Sequence, residues 1–170
     1  MLNRRRMKNA KDFFRGIDDV VVRSALPGWI CLRVGPDMDV RAQVVEFFRG
    51  QMSNLSYELC EKLSTAVDEL LGNALEHGCK AEPKCACEIT YIRTPRMILI
   101  QIRDAGPGFE LSTISHAAVN NPPEDPLRHA DFRSQLGMRP GGFGIMLVKQ
   151  IADDLIYNEQ GNEVVLVKYL

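Results

Sequence analysis

No stretch of the 170 residues approaches the roughly 20 apolar residues that a membrane-spanning helix requires. The beginning of the chain also lacks the apolar core of a secretory leader, because its basic residues run straight into Lys8-Asn9-Ala10-Lys11-Asp12. Charge of one sign is missing as well. The 21 basic and 22 acidic residues leave a formal charge of −1, so nothing points to a polyanionic partner. The single basic cluster, Arg4-Arg5-Arg6 with Lys8 and Lys11, has no interleaved aromatic residues. It reads as a solvated amino-terminal arm rather than a nucleic-acid patch. Five cysteines are an odd count and lack the Cys-x-x-Cys spacing of a structural zinc site. That argues against a disulfide scaffold and fits a reducing cytoplasm. Cys85 and Cys87 are expected at the start of a strand, pointing to one face. Neither a nucleic acid nor a membrane is an expected partner. With 45% hydrophobic residues, the chain is long enough for one domain with a proper core.

What is present is organised around residues 64–78, Ser-Thr-Ala-Val-Asp-Glu-Leu-Leu-Gly-Asn-Ala-Leu-Glu-His-Gly, which read as one helix. Glu69, Asn73 and His77 recur every fourth residue and stack into a polar stripe. Leu59, Leu63, Val67, Leu70, Ala74 and Leu75 form the apolar face beside it. Ser56 is placed to cap this helix, and Gly78 to end it in a left-handed conformation. Ahead of it, Val20-Val21-Val22 and residues 29–34 favour two strands around the Pro27-Gly28 turn, and Asp39 can cap a helix over 40–51. Residues 87–93 and 97–103 alternate as an antiparallel pair. Residues 110–140 change character, since Asn120-Asn121-Pro122-Pro123 and Pro126 suit neither a helix nor an internal strand. A loop this long reads as a lid. A helix over 145–153 and strands at 155–158 and 163–169 complete the chain.

Two glycine-rich stretches give the polar stripe a chemical meaning. Asp104-Ala105-Gly106-Pro107-Gly108-Phe109 follows a strand, and Gly141-Gly142-Phe143-Gly144 opens a helix. Glycines allow close backbone approach to a ligand, and free amides at a helix start suit phosphate oxygens. Asp104 could accept a hydrogen bond from an exocyclic amino group such as that of adenine. Asn73 offers a neutral carbonyl oxygen to magnesium, and Glu69 could take a proton from an attacking hydroxyl. Each piece alone has a plain reading as a turn, a junction or a solvated helix face. Their order along the chain is what sets them apart.

Residues 68–78 resemble the asparagine box of the GHKL (Bergerat-fold) ATPase superfamily, shared by gyrase, histidine kinases and mismatch-repair proteins. Asp104 to Phe109 resembles its first glycine box and Gly142 to Leu147 its second. The form Glu-x-x-x-Asn-Ala-x-x-His-Gly and the ending Tyr157-Asn158-Glu159-Gln160-Gly161-Asn162-Glu163-Val164 are most similar to the anti-sigma-factor serine kinase branch. The resemblance implies a two-layer α/β sandwich, with helices on one face of a mixed, mostly antiparallel sheet. It covers residues 29–170 and implies an ATPase domain there, with its ATP lid at about 110–140, while residues 1–28 are an amino-terminal arm longer than this branch needs. Glu69 would be the general base, Asn73 the magnesium ligand and Asp104 the reader of adenine. Gly106 and Gly108 would line the nucleotide pocket, with Gly142 and Gly144 near the phosphates. His77 is counted with the nucleotide-binding residues, although its place at a helix end already suits a partial positive charge. Arg139 is the expected phosphate contact of the lid, whose Arg128, Arg133, His116 and His129 carry no motif. ATP and magnesium are the implied cofactors. An anti-sigma-factor antagonist is the implied substrate, with a sigma factor and a second copy of the chain as further partners. A nucleotide-dependent sequestering module without catalysis and a detached histidine-kinase ATP-binding domain are the alternatives.

Overall fold

The structure, a computed structural model, describes residues 9–79, 85–138 and 141–170. The basic cluster at Arg4 to Lys8 and the expected phosphate contact Arg139 lie outside the described residues.

Six strands form one sheet: β1 (Val20–Leu26), β2 (Trp29–Val34), β3 (Cys87–Arg93), β4 (Met97–Arg103), β5 (Asp154–Tyr157) and β6 (Glu163–Tyr169). Their order is β1-β2-β3-β4-β6-β5, and every described pairing is antiparallel, so the parallel component of the expected mixed sheet is not present among them. Alternation decides which face is covered. Leu32, Val34, Ile89, Tyr91, Ile98, Ile100, Ile102 and Leu166 point to the buried side, while Arg33, Glu88 and Arg103 stand on the exposed one. Residues 20–26, within the expected arm, form the edge strand β1. The short α1 (Ala10–Phe13) leads to Phe14, which is buried with its ring 5.0 Å from that of Phe47.

The covering layer consists of α2 (Met38–Gln51), α3 (Tyr57–Asn73) and α5 (Gly144–Ile151). Asp37, not Asp39, caps α2, because Asp37 holds extended backbone and its carboxylate accepts the Asp39 N–H at 2.8 Å. Ser56 caps α3, accepting the Leu59 N–H at 3.3 Å. Leu63, Ala66, Val67, Leu70 and Leu71 of α3 are buried against the sheet. At roughly 1.5–3 kcal/mol for each large side chain, that burial outweighs a solvent-screened exposed pair such as Glu58–Lys62. Packing therefore fixes α3, and with it the polar edge facing away from the core.

The expected single helix over 64–78 is interrupted. It is α-helical through Asn73 and then makes one π-helical turn over Ala74–Gly78, closed by the Cys79 N–H on the Ala74 carbonyl at 2.9 Å. Gly78 is not among the positive-φ glycines, so it is no left-handed cap. Its lack of a side chain serves another purpose, described below. The lid also contains more regular structure than its prolines suggest: short 3₁₀ turns at Leu111–Thr113 and Ala118–Asn120, then α4 (Arg128–Gln135). Among the described residues no helix is long and apolar enough to cross a membrane.

Candidate nucleotide site

The polar edge of α3 faces a cavity of about 660 Å³. Its walls are α3 and the π turn, the end of β4, the start of β6, the lid and the start of α5. Glu69, Asn73, His77, Asp104, Gly108, Gly142 and Gly144 all line it. Three stretches separated by up to 75 positions in sequence are therefore brought to one place. Gly106 is not on the wall. It acts one step behind, where its N–H donates to the Asp104 carboxylate (Oδ1) at 2.8 Å and its carbonyl accepts from the Asn162 amide at 3.3 Å.

Asp104 is half-buried, and burial pushes its carboxyl above the ordinary range, against the opposing pull of the Gly106 N–H. Its Oδ2 accepts no hydrogen bond among the described residues, which leaves an acceptor free at the cavity. The backbone of Gly78 is packed directly on this carboxyl, so that a β-carbon on Gly78 would overlap it. A glycine ends the π turn for that reason: any side chain would displace Asp104.

A second close approach fixes Gly144. A β-carbon there would overlap the carboxylate of Glu69, so the base candidate rests against the first residue of α5. No side chain caps that helix, and its first residues, Gly144 and Ile145, line the cavity beside Glu69. Gly142 takes a positive φ of 94°, and its carbonyl accepts the Ala118 N–H at 2.8 Å, which ties the first part of the lid to the residues that follow it.

The apolar part of the cavity includes Leu70, Ile102, Phe109, Ile145 and Val164, with Tyr157 edge-on to Phe109 at 5.6 Å. Burial pushes the Tyr157 hydroxyl up to about 12, so it stays protonated at neutral pH. His77 is exposed on the π turn and His116 half-buried on the lid. Burial, then the nearby charges of Arg133 and His77, lower the His116 pKa, keeping that ring neutral around pH 7.

Two arginines on the wall carry no motif. Arg41 of α2 donates to Asp68 at 2.6 Å and to Glu76 at 3.3 Å, joining α2, α3 and the π turn at the cavity rim. Arg133 of α4 reaches the His116 carbonyl at 3.3 Å and also faces the cavity. Neither neighbours a glycine box in sequence, so only the fold brings them here. His129 of the lid does not line the cavity. It is fully buried, its backbone N–H donating to Asn121 Oδ1 at 2.9 Å and its Nδ1 lying 2.6 Å from Asn121 Nδ2. Because that Nδ2 can only donate, Nδ1 accepts and the ring proton sits on Nε2.

The cysteines differ from the sequence-based expectation. Cys79 and Cys85 form a disulfide, and Cys87 alone begins β3. An odd count speaks against a fully paired scaffold and is silent about one local pair.

Residues 38–168 match the description of the histidine kinase-like ATPase domain. The chain is similar to the serine-protein kinase RsbW of Oceanobacillus iheyensis, 31% identical over 116 residues that cover 68% of each chain. It is also similar to the serine-protein kinase RsbW of Listeria monocytogenes, 29% identical over 119 residues, 69% of this chain and 71% of that one.

Proposed function

The chain belongs to the histidine kinase-like ATPase family, and from that premise we propose that it is an ATP-dependent serine protein kinase of the anti-sigma-factor branch. Its substrate in this reading is an anti-sigma-factor antagonist, and its second partner a sigma factor. The observation that carries the reading is the convergence of Glu69, Asn73, Asp104 and the two glycine stretches on one cavity. The RsbW proteins bear the name serine-protein kinase, which favours serine over histidine as the acceptor.

Each residue takes a role from its position. The free Oδ2 of Asp104 accepts from the adenine amino group while Gly106 holds Oδ1. The phosphates lie toward the amides that begin α5, with Arg133 as the lid cation. Glu69 takes the proton of the attacking serine hydroxyl as its oxygen bonds to the γ-phosphorus and the bridging oxygen leaves with ADP. Among the described residues no group of three or more His, Cys, Asp or Glu side chains could hold an ion by itself. The donor set fits magnesium bound mainly through phosphate, with Asn73 as its protein ligand. When bound, the ion neutralises developing charge on the phosphates.

The test is incubation of the chain with magnesium, labelled ATP and an antagonist protein encoded nearby. Acid-stable label on the partner supports serine transfer. Acid-labile label would indicate histidine, and nucleotide binding without transfer would leave a sequestering module. Glu69→Ala is expected to lower transfer by about 100-fold or more while nucleotide binding persists. Transfer that survived this change would remove Glu69 from the mechanism.

A further inference from the structure

We propose that Cys79 and Cys85 form a reversible oxidation site that sets the affinity of the nucleotide cavity. The inference rests on the ATP-binding reading and extends it to regulation of the same site.

The bond sits between two parts of the cavity rim. On one side, Cys79 directly follows Gly78, and its N–H closes the π turn on Ala74. Gly78 is the residue packed on the Asp104 carboxyl, and its carbonyl is in turn packed on Gly106. On the other side, Cys85 lies two residues before Cys87, the first residue of β3. That end of β3 pairs with the end of β4, Glu88 opposite Arg103, and Asp104 follows Arg103. The disulfide thus joins the helix layer to the sheet at the point where the adenine-reading carboxylate is held. With the bond closed, Gly78 cannot move away from Asp104 without dragging the start of β3.

The chemistry of the pair is accessible and self-contained. Cys79 is buried at 2% exposure, whereas Cys85 is half-buried, so an external thiolate can attack the Cys85 sulfur. The reductant is a small dithiol. One of its sulfurs bonds to Cys85 as the S–S bond breaks, and Cys79 leaves as a thiolate that takes a proton. The second dithiol sulfur then displaces Cys85, so the dithiol ends as a disulfide and both cysteines as thiols. Oxidation by a small disulfide is the same sequence reversed. Cys87 does not interfere: burial, and then the charge of Asp104, push its thiol up to about 12, which keeps it protonated and unreactive.

Binding and redox state are coupled reciprocally. The experiment measures ADP affinity by calorimetry, with magnesium present, on the full chain oxidised and after reduction with dithiothreitol. Alkylation and peptide mapping report the state of Cys79 and Cys85 in each sample. Reduction is expected to weaken ADP binding by about 5-fold or more. Cys79→Ser/Cys85→Ser is expected to bind like the reduced chain under both conditions, and ADP to shift the thiol–disulfide midpoint by the same factor. The reduced wild-type chain needs no substitution to fold, so it keeps the test independent of the variant. Equal affinity in the two wild-type states overturns the coupling and leaves ATP binding intact, as does mapping that finds both thiols free after oxidation. Absence of ADP binding in both states overturns the nucleotide reading itself, and this proposal with it.

Discussion

Asp104 carries the most chemistry for its size. Its Oδ1 is committed to the Gly106 N–H, so in Asp104→Asn the amide nitrogen falls where Oδ2 now stands. A donor would then face the donor of adenine. Loss of a hydrogen bond to a charged group, at about 1.5–3 kcal/mol, predicts a roughly 10- to 150-fold weaker ATP affinity by calorimetry. The pH dependence has a defined sign. Burial raises the folded pKa of Asp104 above its unfolded value. Its contribution to stability is therefore complete below the unfolded pKa and is lost as pH rises through the folded one. Nucleotide affinity runs the opposite way, rising through that window as the carboxylate ionises. The Asn variant should flatten both profiles. A wild-type affinity that fell on raising pH through the acid range would contradict the assignment of Asp104.

At the scale of elements, the lid is the part most open to test. Asn121 accepts from the His129 N–H and donates to the Pro126 carbonyl, at 2.9 and 2.5 Å, holding the start of α4. Asn121→Ala is expected to raise amide hydrogen exchange across residues 116–138 and to slow phosphoryl transfer about 10-fold, with a smaller change in ADP affinity. Unchanged exchange there would show that α4 is held by other contacts. Much of the element pattern was legible beforehand. Strands 87–93 and 97–103 could be read to the residue, because each alternates between a core face and an open face. The three boxes could be placed on a helix, a strand end and a helix start from their glycines and polar spacing. Other features depend on contacts that spacing does not encode. The π turn is set where Gly78 meets Asp104, 26 positions later in sequence. Arg41 and Arg133 reach the cavity from α2 and α4, and the prolines before Leu127 hid the short helix behind them. A local disulfide is equally invisible to a count of cysteines.

For the whole molecule, the helix that carries Glu69 and Asn73 is also the helix that buries Leu63, Leu70 and Leu71. A nucleotide on its edge should therefore be felt by the entire core. At 100 times its dissociation constant a ligand adds about 2.7 kcal/mol, which for a chain of this size is a rise in Tm of roughly 5–10 °C. Thermal melts with ADP and magnesium check this, and an unshifted Tm at saturating nucleotide would count against the cavity as its binding place. The bond from the Ala118 N–H to the Gly142 carbonyl has a consequence of its own. It cinches the neck of the intervening segment like a drawstring. Arg133 adds a second tie at the same neck, donating to the His116 carbonyl at 3.3 Å. Opening it should consequently require both ties to break, and a protease cut between them would leave the two pieces still joined at the neck, beside the α5 start.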